Sequence, residues 1–429
     1  MTESLPFLRR VSIRNYKSIA ECDVELGKFT VIVGRNGSGK SNFLDAIRFV
    51  ADGLRTSLDH AMKARGGIED VRRRSTGHPH NFWIRLSFGL TDDRECEYEF
   101  EIAAQKRGGF RVRDERLVVR LPSGREFGFH VSDGNLIEAG TTQSGSEETL
   151  FTGVELRRHM EHLPKPAIDR LYLVSVAGLS EFRDAYDALL AMGFYNLSPE
   201  QIKEFQSPDA GVLLRRDGSN LASVIGRLTE ERPELKTRIR EYLQQIVPDM
   251  IDFERQPLAN RETIVFRQAV KGSEYPWRFY AASMSDGTLR VLAVLVAVMQ
   301  LASGGTPVLL AGIEEPETAL HPAATGALLD ALREAASHTQ VIVTSHSPEL
   351  IDDFDSETDT LIVAQMTQGT TEIGPVDAAS AKVMREHLFT AGELLKMDQL
   401  QPQPPPNKIR QPLLTGFEAD VGGHVGQTP

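Results

Sequence analysis

The sequence has little cysteine. Only Cys22 and Cys96 occur among 429 residues, and they form no Cys-x-x-Cys pair. Disulfide scaffolds and thiolate zinc sites depend on several suitably spaced cysteines, so we expect neither here. A reducing compartment, the cytoplasm, is the predicted location.

Long apolar runs are also missing. The longest, Val291 to Leu301, is about half of what a membrane helix needs, and Gly304, Gly305 and Pro307 follow it. We interpret this run as a buried helix and expect no membrane association. The first residues lack a basic segment followed by an apolar one, so no secretory signal is expected.

Positive charge is in deficit. The 48 Lys and Arg residues face 60 Asp and Glu residues, which leaves a net charge of −12. This balance argues against wholesale coating of nucleic acid, although a local basic face stays compatible with it. The length predicts two or three structural units, and the apolar fraction of 41% is typical of a globular protein.

A glycine-rich segment stands between a predicted strand, Phe29 to Val33, and a predicted helix, Asn42 to Leu54. Gly34 to Ser41 fits Gly-x-x-x-x-Gly-Lys-Ser, a pattern that binds phosphate in this context through backbone N–H groups and the helix N-terminus. The alternative is an ordinary Gly-Ser loop. We predict that ATP is bound by Gly34, Arg35, Asn36, Gly37, Ser38, Gly39, Lys40, Ser41 and Asn42, with Lys40 on the β- and γ-phosphates and Ser41 as a ligand of Mg²⁺.

Two acidic residues follow a second apolar strand. Val308 to Ile313 runs directly into Glu314 and Glu315. A nucleotide site needs a second magnesium ligand and a group that positions water, and these acids supply both. We therefore assign Glu314 to Mg²⁺ or to a water molecule bound to it, and Glu315 to the attacking water; the alternative is a pair of exposed acids that cap a strand. No Asn-Lys-x-Asp segment appears, which disfavours GTP.

The coarse pattern predicts an α/β fold. Period-two alternation between Asn81 and Glu138 predicts antiparallel strands, whereas Val154 to Val247 carries helical patterns broken by prolines. Strands and helices alternate again after Ile251, which predicts a parallel sheet covered on both faces. The expected units are an N-terminal lobe (1–145), a helical insertion (146–250), a C-terminal lobe (251–398) and a disordered Pro- and Gly-rich tail (399–429).

These motifs together resemble the ATPase heads of the ABC superfamily, in the soluble branch with RecF, SMC and predicted ATPases of the overcoming-lysogenisation type. The resemblance covers roughly residues 8–54 and 280–350. It rests on Ile13-Arg-Asn-Tyr-Lys-Ser-Ile19, Gly34 to Asn42, Glu314-Glu-Pro-Glu-Thr-Ala-Leu-His-Pro322 and Val343-Thr-Ser-His346. It implies a P-loop NTPase fold of ABC-ATPase type, with a mixed core sheet flanked by helices, an antiparallel β subdomain and a helical insertion.

The resemblance also implies roles for further residues. His346 is the expected switch histidine that contacts the γ-phosphate, and Glu317 to His321 is the expected dimer-interface loop. Ser285, Asp286 and Gly287 occupy the place of the family's Leu-Ser-Gly-Gly-Gln element, which contacts the nucleotide held by a second copy. The alternatives are an ordinary surface or core histidine and a serine that only caps a helix.

Two departures from the family pattern predict slow turnover. Glu314 replaces the usual aspartate and lengthens the reach to Mg²⁺ by one methylene, and Asp286 replaces a glycine and adds negative charge near the phosphates. The glutamine that joins Mg²⁺ to the second lobe has no certain position: Gln143 is one candidate, and Arg72–Arg74 marks another candidate region.

Several functions remain open. The first is an ATP-driven homodimer that acts in DNA maintenance, DNA repair or phage defence; an ATP-sensing regulatory subunit and the ATPase subunit of an ABC transporter are the alternatives. Roughly eighty residues follow His346, too few for a nuclease domain, so a nuclease or effector would be a separate partner. Arg72–Arg74 with His78 and His80 marks either a DNA contact or a solvated loop. Leu214–Asn220 predicts a polar turn before a helix, without an assigned function.

Overall fold

The computed structural model describes residues 7–75, 79–90, 93–143, 163–301, 308–352, 354–355, 358–386 and 388–403. His78, most of the loop predicted at 141–149 and the predicted tail from residue 404 onward lie outside these ranges.

The strands are β1 (Phe7–Tyr16), β2 (Ile19–Glu25), β3 (Phe29–Val33), β4 (Asn81–Gly89), β5 (Glu95–Ala104), β6 (Phe110–Arg120), β7 (Arg125–Ser132), β8 (Asn135–Gln143), β9 (Met192–Tyr195), β10 (Met250–Leu258), β11 (Arg261–Gln268), β12 (Trp277–Tyr280), β13 (Leu310–Glu314), β14 (Gln340–Ser345), β15 (Asp359–Thr367) and β16 (Thr370–Pro375). The helices are α1 (Lys40–Arg55), α2 (Leu58–Lys63), α3 (Ile68–Val71), α4 (Tyr172–Val176), α5 (Ser180–Leu190), α6 (Pro199–Lys203), α7 (Leu221–Glu231), α8 (Pro233–Ile246), α9 (Asp286–Leu301), α10 (Thr325–Ala336), α11 (Pro348–Asp352), α12 (Ala378–Arg385) and α13 (Ala391–Lys396).

One large mixed sheet organises the chain. Its strand order is β8-β7-β6-β5-β4-β1-β2-β16-β15-β3-β14-β13-β9, and β10-β11-β12 form a separate small sheet. The strands β15, β3, β14, β13 and β9 pair parallel with one another, and those from β8 to β2 pair antiparallel with one another. Between these two parts, β16 is antiparallel to β15 and parallel to β2. The predicted α/β class, with a parallel core and an antiparallel β region, is confirmed.

The centre of the parallel part is β3, and both its faces are buried. Ile32 packs into the cluster that contains α1, whereas Val31 and Val33 pack into the opposite cluster with α9. A strand covered on two sides needs apolar residues at every position, which explains the uninterrupted run Phe29 to Val33. Its neighbours on the two sides are β14 and β15.

The predicted buried helix from Val291 to Leu301 is confirmed within α9. Its residues from Val291 to Met299 are at most 1% exposed, because α9 lies against the sheet and is covered by other helices. No helix among the described residues is long and apolar enough to cross a bilayer.

The segment from 146 to 250 holds a strand of the main sheet as well as helices α4 to α8. β9 pairs parallel with β13, with Met192 opposite Leu310 and Tyr195 opposite Ile313. Four residues are too few to show a period-two pattern, which is why the sequence indicated only helices there.

Gln340 joins the parallel part of the sheet to its antiparallel part. Its Oε1 accepts a hydrogen bond from the Leu8 N–H (3.0 Å), and its Nε2 donates to the carbonyl oxygens of Leu8 (2.8 Å) and Gly27 (2.9 Å). The side chain is buried, and its amide oxygen and nitrogen are both satisfied, as burial requires.

Candidate nucleotide site

The loop between β3 and α1 encloses Lys40. Nζ of Lys40 donates to the carbonyl oxygens of Gly34 (2.8 Å) and Arg35 (3.1 Å), and the residue is only 4% exposed. Burial lowers the pKa of Lys40, while the carboxylates of Glu315 and Glu317 act in the opposite direction. The amine is therefore held inside the loop by two neutral acceptors. A negatively charged phosphate oxygen would bind the ammonium group more strongly than these carbonyl oxygens do and could replace them.

Gly39 can only be glycine. It has φ +100°, and a Cβ at this position would lie 2.2 Å from Oγ1 of Thr371. The Thr371 hydroxyl donates to the carbonyl oxygen of Ser38 (3.0 Å), so β16 fixes the loop from one side. Asn42 donates to Oγ of Ser18 (2.7 Å). Asn42, predicted to bind the nucleotide, thus uses its amide to anchor the loop to the β1–β2 turn.

Of the remaining loop residues, four are exposed and one is buried. Arg35, Asn36, Gly37 and Ser41 are exposed, and Nη1 of Arg35 lies 3.1 Å from Oδ2 of Asp398. Oγ of Ser38 is buried and has no hydrogen-bond partner among the described residues. An orphaned buried hydroxyl inside a phosphate-binding motif is consistent with a ligand that supplies the missing partner.

Glu314 ends β13 and is paired with an arginine. Its Oε1 lies 3.1 Å from Nη2 of Arg216, a residue that the sequence did not indicate as part of the site. β13 lies between β14 and β9, so Asn196, directly after β9, follows the neighbouring strand end at the same edge of the sheet.

Glu315 and His346 are in contact. The Glu315 N–H donates to the carbonyl oxygen of Thr344 (3.0 Å), and its Oε1 lies 3.3 Å from Nδ1 of His346. Thr318 donates its hydroxyl to the other carboxylate oxygen at 3.4 Å. The structure thus brings together the two residues predicted to be catalytic, and its backbone places Glu315 at φ +44° to do so.

Glu317 is buried behind them. It is 7% exposed, its Oε1 accepts a hydrogen bond from Ser345 Oγ (2.5 Å), and its Oε2 lacks a partner among the described residues. Burial raises the pKa of Glu317, which the Ser345 hydrogen bond partly offsets. Although Glu317 is mostly buried, it lines an open cavity of about 280 Å³ together with residues 318–320, His346 and Glu349.

Ser285 caps α9. Its Oγ accepts from the Thr288 N–H (3.2 Å) and lies 2.8 Å from the Thr288 hydroxyl, while Asp286 pairs with Lys203 at 2.5 Å. A Cβ on Gly287 would lie 2.3 Å from the Ala319 carbonyl oxygen, so the α9 start packs against the loop after Glu317. Within the described residues no hydrogen bond or ion pair joins Ser285–Gly287 to Gly34–Ser41 of the same chain.

The two candidate positions for the glutamine that joins Mg²⁺ to the second lobe lie in different parts of the structure. Gln143 ends β8 at the outer edge of the sheet, with eight strands between it and β3, so it does not lie beside the loop. Arg73 does lie near it: its N–H donates to Asn15, and its guanidinium donates to Thr370, next to the loop-anchoring Thr371. Arg72 and Arg74 pair with the acids Glu69 and Asp70, which leaves little unpaired charge for a polyanion.

The donor groups present fit Mg²⁺. The described residues include no group of three or more His, Cys, Asp or Glu side chains placed so that they could hold a metal ion by themselves. Mg²⁺ bound to a nucleotide needs no such cluster, since phosphates and water fill most of its six positions and the protein adds one or two oxygens. The Ser41 hydroxyl at the start of α1 and the Glu314 carboxylate at the end of β13 are oxygens of this kind.

The sheet order and this constellation define a P-loop ATPase domain of ABC type, in the group that includes OLD, RecF and SMC proteins. Residues 29–352 match the family described as "AAA domain, putative AbiEii toxin, Type IV TA system", and the chain belongs to this family.

Relatives of this chain differ in how much they share with it. It is 24% identical over 365 residues to the OLD nuclease of Thermus scotoductus, covering 80% of this chain and 60% of the relative. It is 41% identical over 63 residues to the DNA replication and repair protein RecF of Gloeobacter violaceus, covering 14% and 17%. A crystal structure of the SMC head bound to the C-winged helix domain of ScpA aligns with a TM-score of 0.49 at 18% identity, covering 88% of this chain and 99% of that one.

Proposed function

We propose that the chain binds ATP with Mg²⁺ at Gly34–Ser41 and hydrolyses it. The contact between Glu315 and His346 carries this proposal, because it places a water-orienting carboxylate and a histidine just after β13 and β14, of which β14 is the direct neighbour of β3 and β13 the next strand in the sheet. Bound Mg²⁺ would neutralise charge on the β- and γ-phosphates.

The proposed roles of the individual side chains follow from their positions. Lys40 binds the β- and γ-phosphates in place of its present carbonyl partners, and Ser41 and Glu314 hold the metal. Glu315 orients water through one carboxylate oxygen. His346 contacts the other oxygen of that carboxylate and also reaches the γ-phosphate. The pairing of Glu314 with Arg216 and the charge of Asp286 both support slow turnover.

We infer that a second copy completes the site. Ser285 and Asp286 are exposed at the N-terminus of α9, where free N–H groups and a hydroxyl can bind an anion, yet among the described residues no hydrogen bond or ion pair joins them to the loop Gly34–Ser41 of their own chain. The adjacent loop after Glu317 packs against Gly287 and is partly exposed, so both segments are available to a partner's nucleotide.

Replacement of Glu315 by Gln tests hydrolysis and dimerisation together. The variant should bind ATP with unchanged affinity, hydrolyse it at least about 100-fold more slowly, and elute as a dimer from a sizing column with ATP and Mg²⁺. Glu372→Gln, an exposed change on β16, is the control and should behave as the wild type. A Glu315→Gln variant that stays monomeric at saturating ATP contradicts the dimer, and a wild type that binds no ATP contradicts the site.

The biological role is proposed to be DNA maintenance, DNA repair or phage defence, in the cytoplasm and with a separate nuclease or effector. The support is the names of the relatives, an OLD nuclease and a DNA replication and repair protein; the chain spans only 60% of the former's length. ATPase turnover with and without duplex DNA ends tests it. Stimulation supports a DNA role, whereas an unchanged, very slow rate favours an ATP-sensing regulatory subunit. DNA cleavage by the purified chain alone would contradict the separate nuclease.

A further inference from the structure

The turn Leu214–Asn220 lies at the acidic end of the nucleotide site. The carbonyl oxygen of Arg216 accepts a hydrogen bond from the Asn196 N–H (2.9 Å), and that of Asp217 accepts from the Ser198 N–H (3.1 Å). These bonds dock the turn onto the segment that follows β9. Arg216 therefore reaches across to the end of β13, where its Nη2 lies 3.1 Å from Oε1 of Glu314.

Buried amides fix the main chain of this turn. Asn220 is 2% exposed; its Oδ1 accepts from the Arg215 N–H (2.8 Å), and its Nδ2 donates to the Leu213 carbonyl oxygen (3.0 Å) and to Asp209 (3.0 Å). Nε2 of Gln206, also buried, donates to the Gly218 carbonyl oxygen (3.1 Å). The position of the Arg216 backbone is thus independent of its side chain, which is 46% exposed and able to change partner.

Arg216 and a metal ion need the same carboxylate. An arginine fork matches a carboxylate well, but it matches phosphate equally well and carries a permanent charge. Glu314 would hold a metal that neutralises phosphate charge, so phosphate oxygens of a bound nucleotide would lie near that carboxylate. A guanidinium that loses its carboxylate there would have the phosphates of a bound nucleotide as a second anionic partner.

We propose that Arg216 holds Glu314 until Mg²⁺ and ATP bind and then exchanges that carboxylate for the terminal phosphate of the nucleotide in its own chain. This rests on the proposed ATP site. Arg216 is a positioning residue for Glu314 before binding and the group that distinguishes ATP from ADP afterwards.

Equilibrium binding of fluorescent ATP and ADP analogues to Arg216→Ala, across a Mg²⁺ titration, tests the proposal. At saturating Mg²⁺, ATP affinity should fall about tenfold, the usual effect of losing a hydrogen bond between charged groups, while ADP affinity stays the same. The Mg²⁺ concentration for half-maximal ADP binding should fall, since no guanidinium occupies Glu314. Arg216→Lys keeps the positive charge but lacks the planar guanidinium group, so its ATP affinity should lie between those of the wild type and Arg216→Ala.

Arg215→Ala is the matched control. Arg215 is the neighbouring arginine of the same turn, it is similarly exposed, and it pairs with Asp209 at 3.0 Å instead of Glu314. It should bind both nucleotides as the wild type does, and both variants should share the wild-type melting temperature without nucleotide. An Arg216→Ala variant that keeps the ATP preference and Mg²⁺ requirement overturns the proposal, as does an equal loss for ATP and ADP. A wild type that binds neither nucleotide overturns the ATP site itself.

Discussion

Nδ1 of His346 lies 3.3 Å from Oε1 of Glu315, although the two residues belong to different strand ends. The contact arises because β13 and β14 are parallel neighbours and the Thr344 carbonyl oxygen binds the Glu315 N–H. A water-orienting carboxylate needs a fixed direction, and the imidazole supplies one. We therefore expect these two side chains to act as a unit.

Single and double variants of this pair should be non-additive. Glu315→Gln and His346→Ala should each lower the ATPase rate by about 100-fold or more, and the double variant should lose little beyond the worse of the two, because either change already disrupts the same unit. Steady-state kcat of the four proteins measures this. Rate losses that multiply in the double variant would show that the two residues act independently.

Gly287→Ala should disturb the start of α9. The new Cβ would lie 2.3 Å from the Ala319 carbonyl oxygen, so the loop after Glu317 must shift. We expect a loss of about 1–3 kcal/mol in the free energy of unfolding, together with weaker ATP-dependent dimerisation. Gly178→Ala, where nothing lies within 4 Å of the new Cβ, is the control for chemical denaturation and sizing. Equal stability of the two variants would contradict the close approach.

Asp45 joins α1 to its surroundings through three cations. Its carboxylate contacts Lys17 (2.6 Å), Arg48 (2.7 Å) and Arg65 (3.0 Å) and is about one-tenth exposed. Removal of a buried anion leaves these charges uncompensated, so Asp45→Asn should cost about 3 kcal/mol of unfolding free energy in urea titrations at neutral pH. Asp59→Asn, in an exposed pair, should cost far less.

The Asp45 contribution should depend on pH in one direction. Burial alone would raise its pKa, but Arg65, Lys17 and Arg48 outweigh burial and lower the pKa to about 2 from 3.8. A carboxyl with a lowered folded-state pKa stabilises the fold above the unfolded value and loses that effect as pH falls. The stability difference between wild type and Asp45→Asn should thus be full above about pH 4 and shrink toward pH 2. A difference that grows on acidification would contradict this.

Glu115 should show the opposite dependence. It is completely buried, and burial raises its pKa to about 7 from 4.5 despite the N–H groups of Tyr172 and Leu173. The folded state then holds a proton that the unfolded state releases, so its stabilising effect is complete below pH 4.5 and declines as pH rises toward 7. Urea titrations at several pH values should show wild-type stability falling relative to Glu115→Gln across this window and levelling off above it. A stability difference between wild type and Glu115→Gln that does not change with pH would contradict the raised pKa of Glu115.

The nucleotide loop was predictable because its information is local. Eight consecutive residues carry the phosphate-binding pattern, and a five-residue apolar strand and an amphipathic helix flank them. Glu314 and Glu315 were predictable for the same reason, since an apolar strand leads directly into them. Periodicity also indicated the antiparallel strands, in which Phe100 and Phe129 alternate with polar neighbours.

Contacts between distant segments could not be read in this way. Arg216 is 98 positions from Glu314, and its role depends on the docking of its turn after β9. The burial of Glu317 depends on Ser345 from the adjacent strand, a partner that no spacing within Glu314–Pro322 indicates. The position of β9 is likewise set by pairing with β13 rather than by its own four residues.

The strand order has a consequence for how this chain folds. Both neighbours of β3, β14 and β15, begin at or after residue 340, although β3 itself ends at residue 33. At about 5–20 residues per second of synthesis, β3 emerges from the ribosome roughly 15–60 s before either neighbour exists. During that interval the nascent chain carries an apolar strand with two unpaired edges and a phosphate loop without support. Loop closure over some three hundred residues makes the central sheet a late and slow product of folding, and it makes this interval the stage at which the chain is most prone to aggregate.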